Sequence, residues 1–364
     1  MPIQSIPVMR PKLPVAERIA PYLQQIDASR IYSNFGPLAR LLEARLAAFF
    51  GLPGGSTVSV ANATLGLTLA LCAQRPEPGS LCAMPAWTFA ATAHAATLAG
   101  LVPYFVDVDP ATWALDPDAI ADEIARAPAT VGAVVPVAPF GRPIDVAAWD
   151  HFQAQTGLAV VIDAAAAFDS LVPGSVPAVV SLHATKVLGV GEGGCVVSSD
   201  KDLIKDVQAR ANFGFFRSRE ALVPATNAKL SEYHAAIGLA ALDEWEATRA
   251  EWMAVAQAYN DLFSGSNRIR LQTGFGTSWV VSTCVLDIAD AGSERVERAL
   301  AAARIETRRW WGRGAHAHPA TAQLPRSELP VTESLARSTI GVPLYRDLEL
   351  GAIERVAERV HAVA

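Results

Sequence analysis

Cysteine is scarce in this sequence, with four in 364 residues, and the four are scattered with no CxxC pair. This pattern argues against a disulfide framework and is typical of small core residues in a reduced compartment. The chain also has no excess of positive charge, because its net charge is −6. Nucleic acid and anionic membranes are therefore not expected as partners. We expect a cytoplasmic protein.

Long uninterrupted apolar runs are missing as well. The most hydrophobic stretch, residues 86–106, is broken by His94, Gly100 and Pro103. It is too weak to predict a membrane span. The first residues, MPIQSIPVMRPKLPVAER, lack the apolar core of a signal peptide. The sequence thus predicts no membrane segment.

What the sequence does have is a regular alternation of short β-branched runs with helical patterns from about residue 37 to residue 212. The predicted strands are 57–61, 80–85, 104–109, 131–137, 159–163, 178–184 and 194–199. They are nearly continuous apolar runs, as in strands that are covered on both faces. The pattern predicts an α/β fold with a mostly parallel central sheet covered by helices.

The pattern changes after residue 240. A long helical stretch at 231–263 precedes a predicted strand at 278–288 and predicted helices at 293–305 and 348–364. We expect a large cofactor-binding domain with an N-terminal arm at residues 1–240. A small C-terminal α+β domain is expected at residues 241–364.

Two charged residues follow apolar strands. Asp163 ends AVVID and precedes four alanines, while Lys186 lies in SLHATK, just before the glycines of GVGEGG. Asp163 is either a helix cap or the partner of a buried cationic ring nitrogen. Lys186 is either a solvated loop charge or an amine that reacts with aldehydes, because desolvation lowers a lysine pKa. Ligand sites form beyond the carboxyl ends of such strands, so both residues can reach one site.

Two further strand ends carry candidate binding residues. In VANATLGL, Asn62, Ala63 and Thr64 precede a helix whose free N–H groups suit a phosphate. The simpler interpretation is that Asn62 only caps the helix. In PAWTFAATAHA, Trp87 and Phe89 are either core residues or partners of a flat ring. An amine, a carboxylate, a phosphate-binding helix and an aromatic side chain together are what a pyridoxal 5′-phosphate (PLP) site needs.

These motifs resemble the DegT/StrS family of PLP-dependent nucleotide-sugar aminotransferases, which have fold type I. The resemblance runs from SNFGPLARLLEARLAAFFG to GVPLYRDLELGAIERV. Its most specific segments are PAWTFAATAHAATLAGLVPYFVDVDPATWALDP, SLHATK with GEGG, and NAKLSEYHAAIGLAAL. It implies an enzyme that moves an amino group, from L-glutamate, to a keto group of a nucleotide-linked sugar.

The resemblance also implies roles for individual residues. Lys186 would hold PLP and move the proton, and Asp163 would pair with the pyridine nitrogen. The other implied cofactor contacts are Asn62, Ala63, Thr64, Phe89 and Ser181, with Asn227 or Lys229 reaching the phosphate from the partner subunit of a homodimer.

Three positions depart from the family pattern. Ile162 stands where a glutamate is usual, Ala166 where a glutamine or histidine is usual, and Ala63 where a glycine is usual. Retention of Lys186 favours transamination over dehydration. The alternatives are dehydration or transamination of a non-nucleotide sugar or cyclitol on the same fold, or a PLP-binding regulatory protein without catalysis.

The segment TRRWWGRGAHAHPA combines arginines with tryptophans, which also occurs in nucleic-acid binding, but the acidic chain argues against that function. Arg308, Arg309 and His316 are instead candidate substrate contacts, as is His183 beside the lysine. Structural packing of the arginines on the tryptophans is the alternative. His316 and His318 form an HxH pair without an acidic or cysteine ligand, so no metal site is predicted.

Overall fold

The computed structural model describes residues 5–364. Its first part contains seven predicted strands, all of which are found, with one of them interrupted at Val161. The strands are β1 Thr57–Val60, β2 Leu81–Pro85, β3 Val102–Val106, β4 Val131–Val134, β5 Ala159–Val160, β6 Ile162–Asp163, β7 Ala178–Ser181 and β8 Gly194–Val197.

Backbone pairing joins these strands in the order β1–β8–β7–β6 and β5–β4–β2–β3. A parallel bridge between Val137 and Asp163 links the two halves across the interrupted strand. All pairs are parallel except those of β8, which is antiparallel to both β1 and β7. The prediction of a mostly parallel α/β sheet is confirmed.

Helices cover this sheet. They are α1 Ala16–Ser29, α2 Pro37–Phe49, α3 Ala63–Gln74, α4 Ala90–Leu98, α5 Ile120–Ala125, α6 Val146–Thr156, α7 Lys201–Ala211 and α8 Glu232–Asp243. Helix α3 is apolar on nearly all sides because it lies directly on the sheet. A Cβ atom at Gly66 would come within 2.8 Å of Val179 Cγ1. The glycine therefore permits the close packing of helix and strand.

The remaining elements form a second, antiparallel sheet with its own helices. Helix α9 Trp245–Phe263 leads to β9 Ile269–Arg270, β10 Cys284–Ile288, α10 Ser293–Ala302, α11 Pro330–Ser338, β11 Thr339–Val342 and α12 Leu350–His361. The strand order is β11–β10–β9. The division of the chain into domains at residue 240 stays a prediction.

Two predicted boundaries in this half were wrong. The single helix expected at 231–263 is two helices, α8 and α9, because the backbone leaves the helical region at Glu244, whose φ and ψ are −100° and 5°. The strand expected at 278–288 begins only at Cys284. Val280 N donates to the carboxylate of Asp169 instead of to a neighbouring strand. The segment before β10 is thus held by a side chain rather than by a sheet.

Candidate active site

Lys186 lies on a loop that folds back on itself between β7 and β8. Leu182 N donates to Gly193 O at 2.9 Å, and Ala184 N donates to Gly191 O at 2.8 Å. Gly191 adopts a φ of +100°, a conformation that favours glycine. The glycines that follow the lysine therefore close this loop and present Lys186 at the end of β7.

Asp163 lies at the end of β6 with 6% of its surface exposed. Thr92 Oγ1 donates to its Oδ2 at 2.7 Å, and Ala165 N donates to its Oδ1 at 3.1 Å. Thr88 and Thr92 join their hydroxyl groups at 2.8 Å. Burial raises the pKa of the Asp163 carboxyl, while the bonds from Thr92 and Ala165 and the charge of Lys186 oppose that rise. Two threonines thus support the carboxylate.

Lys186 and Asp163 influence each other across one cavity. Burial lowers the pKa of the Lys186 amine, and the charge of Asp163 partly opposes this effect. A lysine with a lowered pKa is more often neutral and so more nucleophilic at neutral pH. Lys186 is half-buried in the cavity lining, so it is not a fully solvated loop charge, and its lowered pKa favours a reactive amine.

The cavity has a volume of about 480 Å³ and is open to solvent. Nine predicted site residues line it: Asn62, Ala63, Thr64, Phe89, Asp163, Ser181, His183, Lys186 and Arg308. They come from five separate segments of the chain, four of which lie at or just beyond the carboxyl end of a strand. The arrangement gathers the sequence-predicted residues at one edge of the sheet.

The amino terminus of α3 forms one end of the cavity. Asn62 caps the helix, because its Oδ1 accepts from Leu65 N at 2.9 Å. A Cβ atom at Gly194 would lie 2.8 Å from Ala63 N, so this glycine lets the first turn of α3 rest on β8. Ser181 lies at the end of β7 and lines the same cavity. Backbone N–H groups at a helix start together with a hydroxyl suit a phosphate group.

His183 and Glu192 lie beside the lysine loop. Thr185 N donates to His183 Nδ1 at 3.2 Å, which makes Nδ1 an acceptor. In the neutral ring the proton is then on Nε2, which lies 3.6 Å from Glu192 Oε1. His183 therefore presents an N–H group rather than a free base on that side.

Four predicted residues do not line the cavity of their own chain. Asn227 is exposed, and Lys229 places its Nζ 4.3 Å from the centre of the Phe213 ring, with no hydrogen-bond partner for this nitrogen among residues 5–364. Arg309 forms an ion pair with Glu297 at 3.0 Å. His316 is buried, with its ring 6.4 Å from that of Phe105. We leave Arg309 and His316 out of the proposed substrate site.

Sequence reasoning missed several residues of this site. Thr88 and Thr92 are four apart on one face of the turn into α4, and this spacing was the available signal. Cavity-lining residues that carried no signal are Met9, Phe140, Ser282 and Thr283, whereas Trp311 belongs to the segment TRRWWGRGAHAHPA that the sequence had indicated. Trp87 is buried behind the cavity, with its ring 5.4 Å from that of Trp311.

No group of three or more His, Cys, Asp or Glu residues within 5–364 is arranged to hold a metal ion. Over the same residues, no helix is both long and apolar enough to cross a lipid bilayer.

The strand order and a half-buried lysine beside a buried carboxylate define a class, the fold-type I PLP transferases. The match to known proteins specifies the family. Residues 15–361 match the DegT/DnrJ/EryC1/StrS aminotransferase family, and the chain belongs to it. It is an enzyme of the aminotransferase type.

Individual relatives support this assignment. The chain is 29% identical to protein Rv3402c of Mycobacterium tuberculosis, over 98% of this chain and 90% of the relative. It is 30% identical to the UDP-N-acetyl-3-dehydro-alpha-D-glucosamine 3-aminotransferase of Acidithiobacillus ferrooxidans, over 91% and 89%. The crystal structure of DesI with its TDP-sugar product is similar with a TM-score of 0.87 and 32% identity, over 99% of this chain and 93% of DesI.

Proposed function

We propose that the protein is a PLP-dependent aminotransferase that moves an amino group, with L-glutamate as donor, to a keto group of a nucleotide-linked sugar. The observation that carries this proposal is the common cavity of Lys186 and Asp163 below the amino terminus of α3. A lysine amine, a carboxylate and a phosphate-binding helix end lie together there. Two of the proteins named above support this choice of substrate: the Acidithiobacillus ferrooxidans protein is named as an aminotransferase of a UDP-linked sugar, and DesI was crystallised with its TDP-sugar product.

The residues present fit PLP. Ala63, Thr64 and Ser181 would bind its phosphate, and Phe89 would lie on its ring. Asp163 would pair with its pyridine nitrogen. When bound, PLP supplies an electron sink for the carbon that loses or gains the amino group. Lys186 would attach the cofactor through its amine and carry the proton at Nζ. Asp163, supported by Thr92, would hold a proton on the ring nitrogen.

Two further features belong to the proposal. Asn227 and Lys229 lie outside their own chain's cavity, so they are free to contribute to the site of a partner subunit in a homodimer. Arg308 lines the cavity and is exposed, with its guanidinium carbon 5.0 Å from the centre of the Trp310 ring. It would contact the anionic part of the substrate.

The two half-reactions test this function separately. The PLP-loaded protein is first mixed with L-glutamate, and formation of 2-oxoglutarate and the loss of the cofactor's visible absorbance band are followed. Keto sugars linked to dTDP or UDP are then added, and amino sugar products are identified by mass spectrometry. Formation of 2-oxoglutarate without amination of any nucleotide sugar would favour a non-nucleotide sugar or cyclitol. No reaction with any amino donor would favour a regulatory protein.

A further inference from the structure

One wall of the cavity carries no charged side chain. It consists of Val137, Ala138, Phe140, Ala165, Ala166, Ser282, Thr283 and Trp311, which we call the uncharged wall. Asp163 adjoins this wall at one end, because Ala138 N donates to Asp163 O at 2.9 Å and Ala165 N donates to Asp163 Oδ1 at 3.1 Å. The wall itself offers no charged side chain to a ligand, so it suits a neutral ligand part.

Thr283 supplies the unexplained polar group of this wall. Its Oγ1 is buried and has no hydrogen-bond partner among residues 5–364. Leaving a buried hydroxyl unpaired costs about 1–3 kcal/mol. The adjacent Ser282 is a second hydroxyl-bearing residue of the cavity lining and is only 4% exposed. A hydroxyl can both donate and accept, so it suits a neutral ligand oxygen such as an alcohol.

The segment that carries these two hydroxyls is firmly held. Asp169 accepts from Val280 N at 3.0 Å and from Arg249 Nε at 2.6 Å. The Asp169 side chain is only 4% exposed, so these bonds are shielded from water. The hydroxyls of Ser282 and Thr283 are therefore presented by an anchored segment, although no sheet holds it.

A second anchor places the same segment against the end of β6. Gly141 adopts a φ of +86°, and a Cβ atom there would lie 2.7 Å from Ala166 O and 2.8 Å from Val281 Cγ2. Ser170 Oγ donates to Gly141 O at 2.7 Å. This glycine turn brings Ala166 and Val281 close together. Ser282 and Thr283 consequently lie on the side of the cavity where Ala166 provides no polar atom.

Aromatic rings complete the uncharged wall. Phe140 and Trp311 stack with ring centres 3.8 Å apart and planes inclined by 19°. Small and aromatic residues with a few placed hydroxyls are typical of pockets that orient a ligand through apolar contact and single hydrogen bonds. A hexose ring has C–H faces for aromatic contact and hydroxyls for hydrogen bonds.

We propose that Ser282 and Thr283 are the specificity-determining residues for the sugar, and that their hydroxyls bind one hydroxyl of the hexose ring against Phe140 and Trp311. The nucleotide diphosphate then extends towards the exposed Arg308. This inference rests on the proposed function, because it takes a nucleotide-linked hexose as the substrate. Beyond that function, the inference specifies which residues recognise the sugar and that they recognise one of its hydroxyl groups.

The test measures equilibrium binding of dTDP-glucose, UDP-glucose and their single-deoxy analogues to the PLP-loaded protein, with dTDP and UDP as references. In the unaltered protein, one deoxy analogue should bind about tenfold more weakly than its parent, because a site built for a hydroxyl rejects a ligand that lacks it. In Thr283→Val, which keeps the side-chain shape, that difference should fall to about twofold or less. Ser282→Ala should also reduce this difference in affinity between the parent and its deoxy analogue.

Matched controls separate recognition from folding and from cofactor binding. Thr283→Ser retains the hydroxyl and should retain the discrimination, as should Ser278→Ala at an exposed position of the same segment. PLP affinity should stay unchanged in Thr283→Val, because the inference places this hydroxyl against the sugar and not against the cofactor.

Three results would overturn the inference. One is that Thr283→Val and the unaltered protein discriminate equally between the parent sugar nucleotide and its deoxy analogue. Another is a loss of PLP affinity in that variant, which would show that the hydroxyl serves the cofactor. The third is an unaltered protein that binds neither sugar nucleotide more tightly than the free nucleotide. Failure of the proposed function is a separate result, since it appears as absent turnover with keto sugar nucleotides.

Discussion

Thr92 donates a hydrogen bond of 2.7 Å from Oγ1 to Asp163 Oδ2, and its own hydroxyl is paired with that of Thr88 at 2.8 Å. The bond lies in the core, where hydrogen bonds to a charged group are worth about 1.5–3 kcal/mol. It favours the ionised form of a carboxyl whose pKa is raised by burial. The first turn of α4 thus supports the charge of the carboxyl at the end of β6.

Removal of the Thr92 hydroxyl should therefore change the pH dependence of kcat/KM. Thr92→Val raises the Asp163 pKa further, because the ionised form loses a donor. Activity depends on ionised Asp163 and is lost as pH falls through that pKa, so the acidic limb of kcat/KM should move to higher pH. We expect a shift of about one unit. Thr92→Ser and the exposed Thr97→Val on the same helix should leave the limb in place. An unmoved limb in Thr92→Val would contradict this role.

Asp163→Asn should abolish most turnover while PLP still binds. The amide cannot hold a proton on the ring nitrogen as an anion does, so the electron sink is weakened. We expect kcat to fall by at least about tenfold, equivalent to about 1.4 kcal/mol. Steady-state kinetics and the cofactor's absorbance spectrum measure the two effects independently. A smaller loss would mean that Asp163 does not contact the ring nitrogen.

Lys186 should be the residue that carries PLP covalently. Its buried amine with a lowered pKa lies in the cavity, whereas Lys201 and Lys205 belong to α7, away from the cavity lining. Borohydride reduction followed by peptide mapping should place the label on Lys186. Lys186→Ala should take up no label, and Lys205→Ala should be labelled normally. Label on any other lysine would refute the assignment.

Hybrid dimers test the shared site. A Lys186→Ala chain lacks its own lysine, and an Asn227→Ala, Lys229→Ala chain lacks the groups that we assign to its partner's phosphate site. The double-alanine chain keeps Lys186 and Asp163, and the Lys186→Ala chain keeps Asn227 and Lys229. Mixing the two inactive proteins should therefore restore one complete site per hybrid dimer. Up to half of the activity per unaltered dimer is expected.

Subunit exchange must be shown independently, for example with two different affinity tags. The double-alanine protein alone must be folded and nearly inactive. Exchange without recovery of activity would place Asn227 and Lys229 outside the partner's site.

The raised pKa of Glu43 should make the free energy of unfolding depend on pH. Its Oε1 accepts from Ser59 N at 2.9 Å and from Ser59 Oγ at 2.7 Å, and burial raises its pKa from the ordinary 4.5 to about 7. The neighbouring Arg40 opposes that rise, and Glu232 adds to it. Because the folded state binds this proton more tightly, the free energy of unfolding should fall as pH rises from about 4.5 to 7.

Glu43→Gln removes this ionisation and should therefore be more stable than the unaltered protein at pH 8 by on the order of 1–3 kcal/mol, with little difference at pH 5. Urea unfolding at both pH values provides the measurement. Glu17→Gln, at an exposed position of α1, is the matched control and should show no such pH-dependent gain. An equal effect of Glu43→Gln at both pH values would show that Glu43 ionises normally.

The amino-acid sequence by itself determined the alternation of strands and helices, and with it the sheet edge at which Asp163, Lys186 and the start of α3 meet. Local patterns suffice there, because apolar runs specify buried strands and parallel strands share one carboxyl-terminal edge. Only the tertiary structure decided the positions of Ser282 and Thr283. The sequence of their segment is typical of a strand. In the structure, however, Val280 N of this segment donates to the carboxylate of Asp169, which lies more than a hundred residues earlier in the chain. Arg309 is likewise indistinguishable from Arg308 in the sequence, and Glu297 on α10 turns it away from the cavity. Such choices depend on which distant group lies within hydrogen-bond reach, and neighbouring residues in the chain carry no information about that.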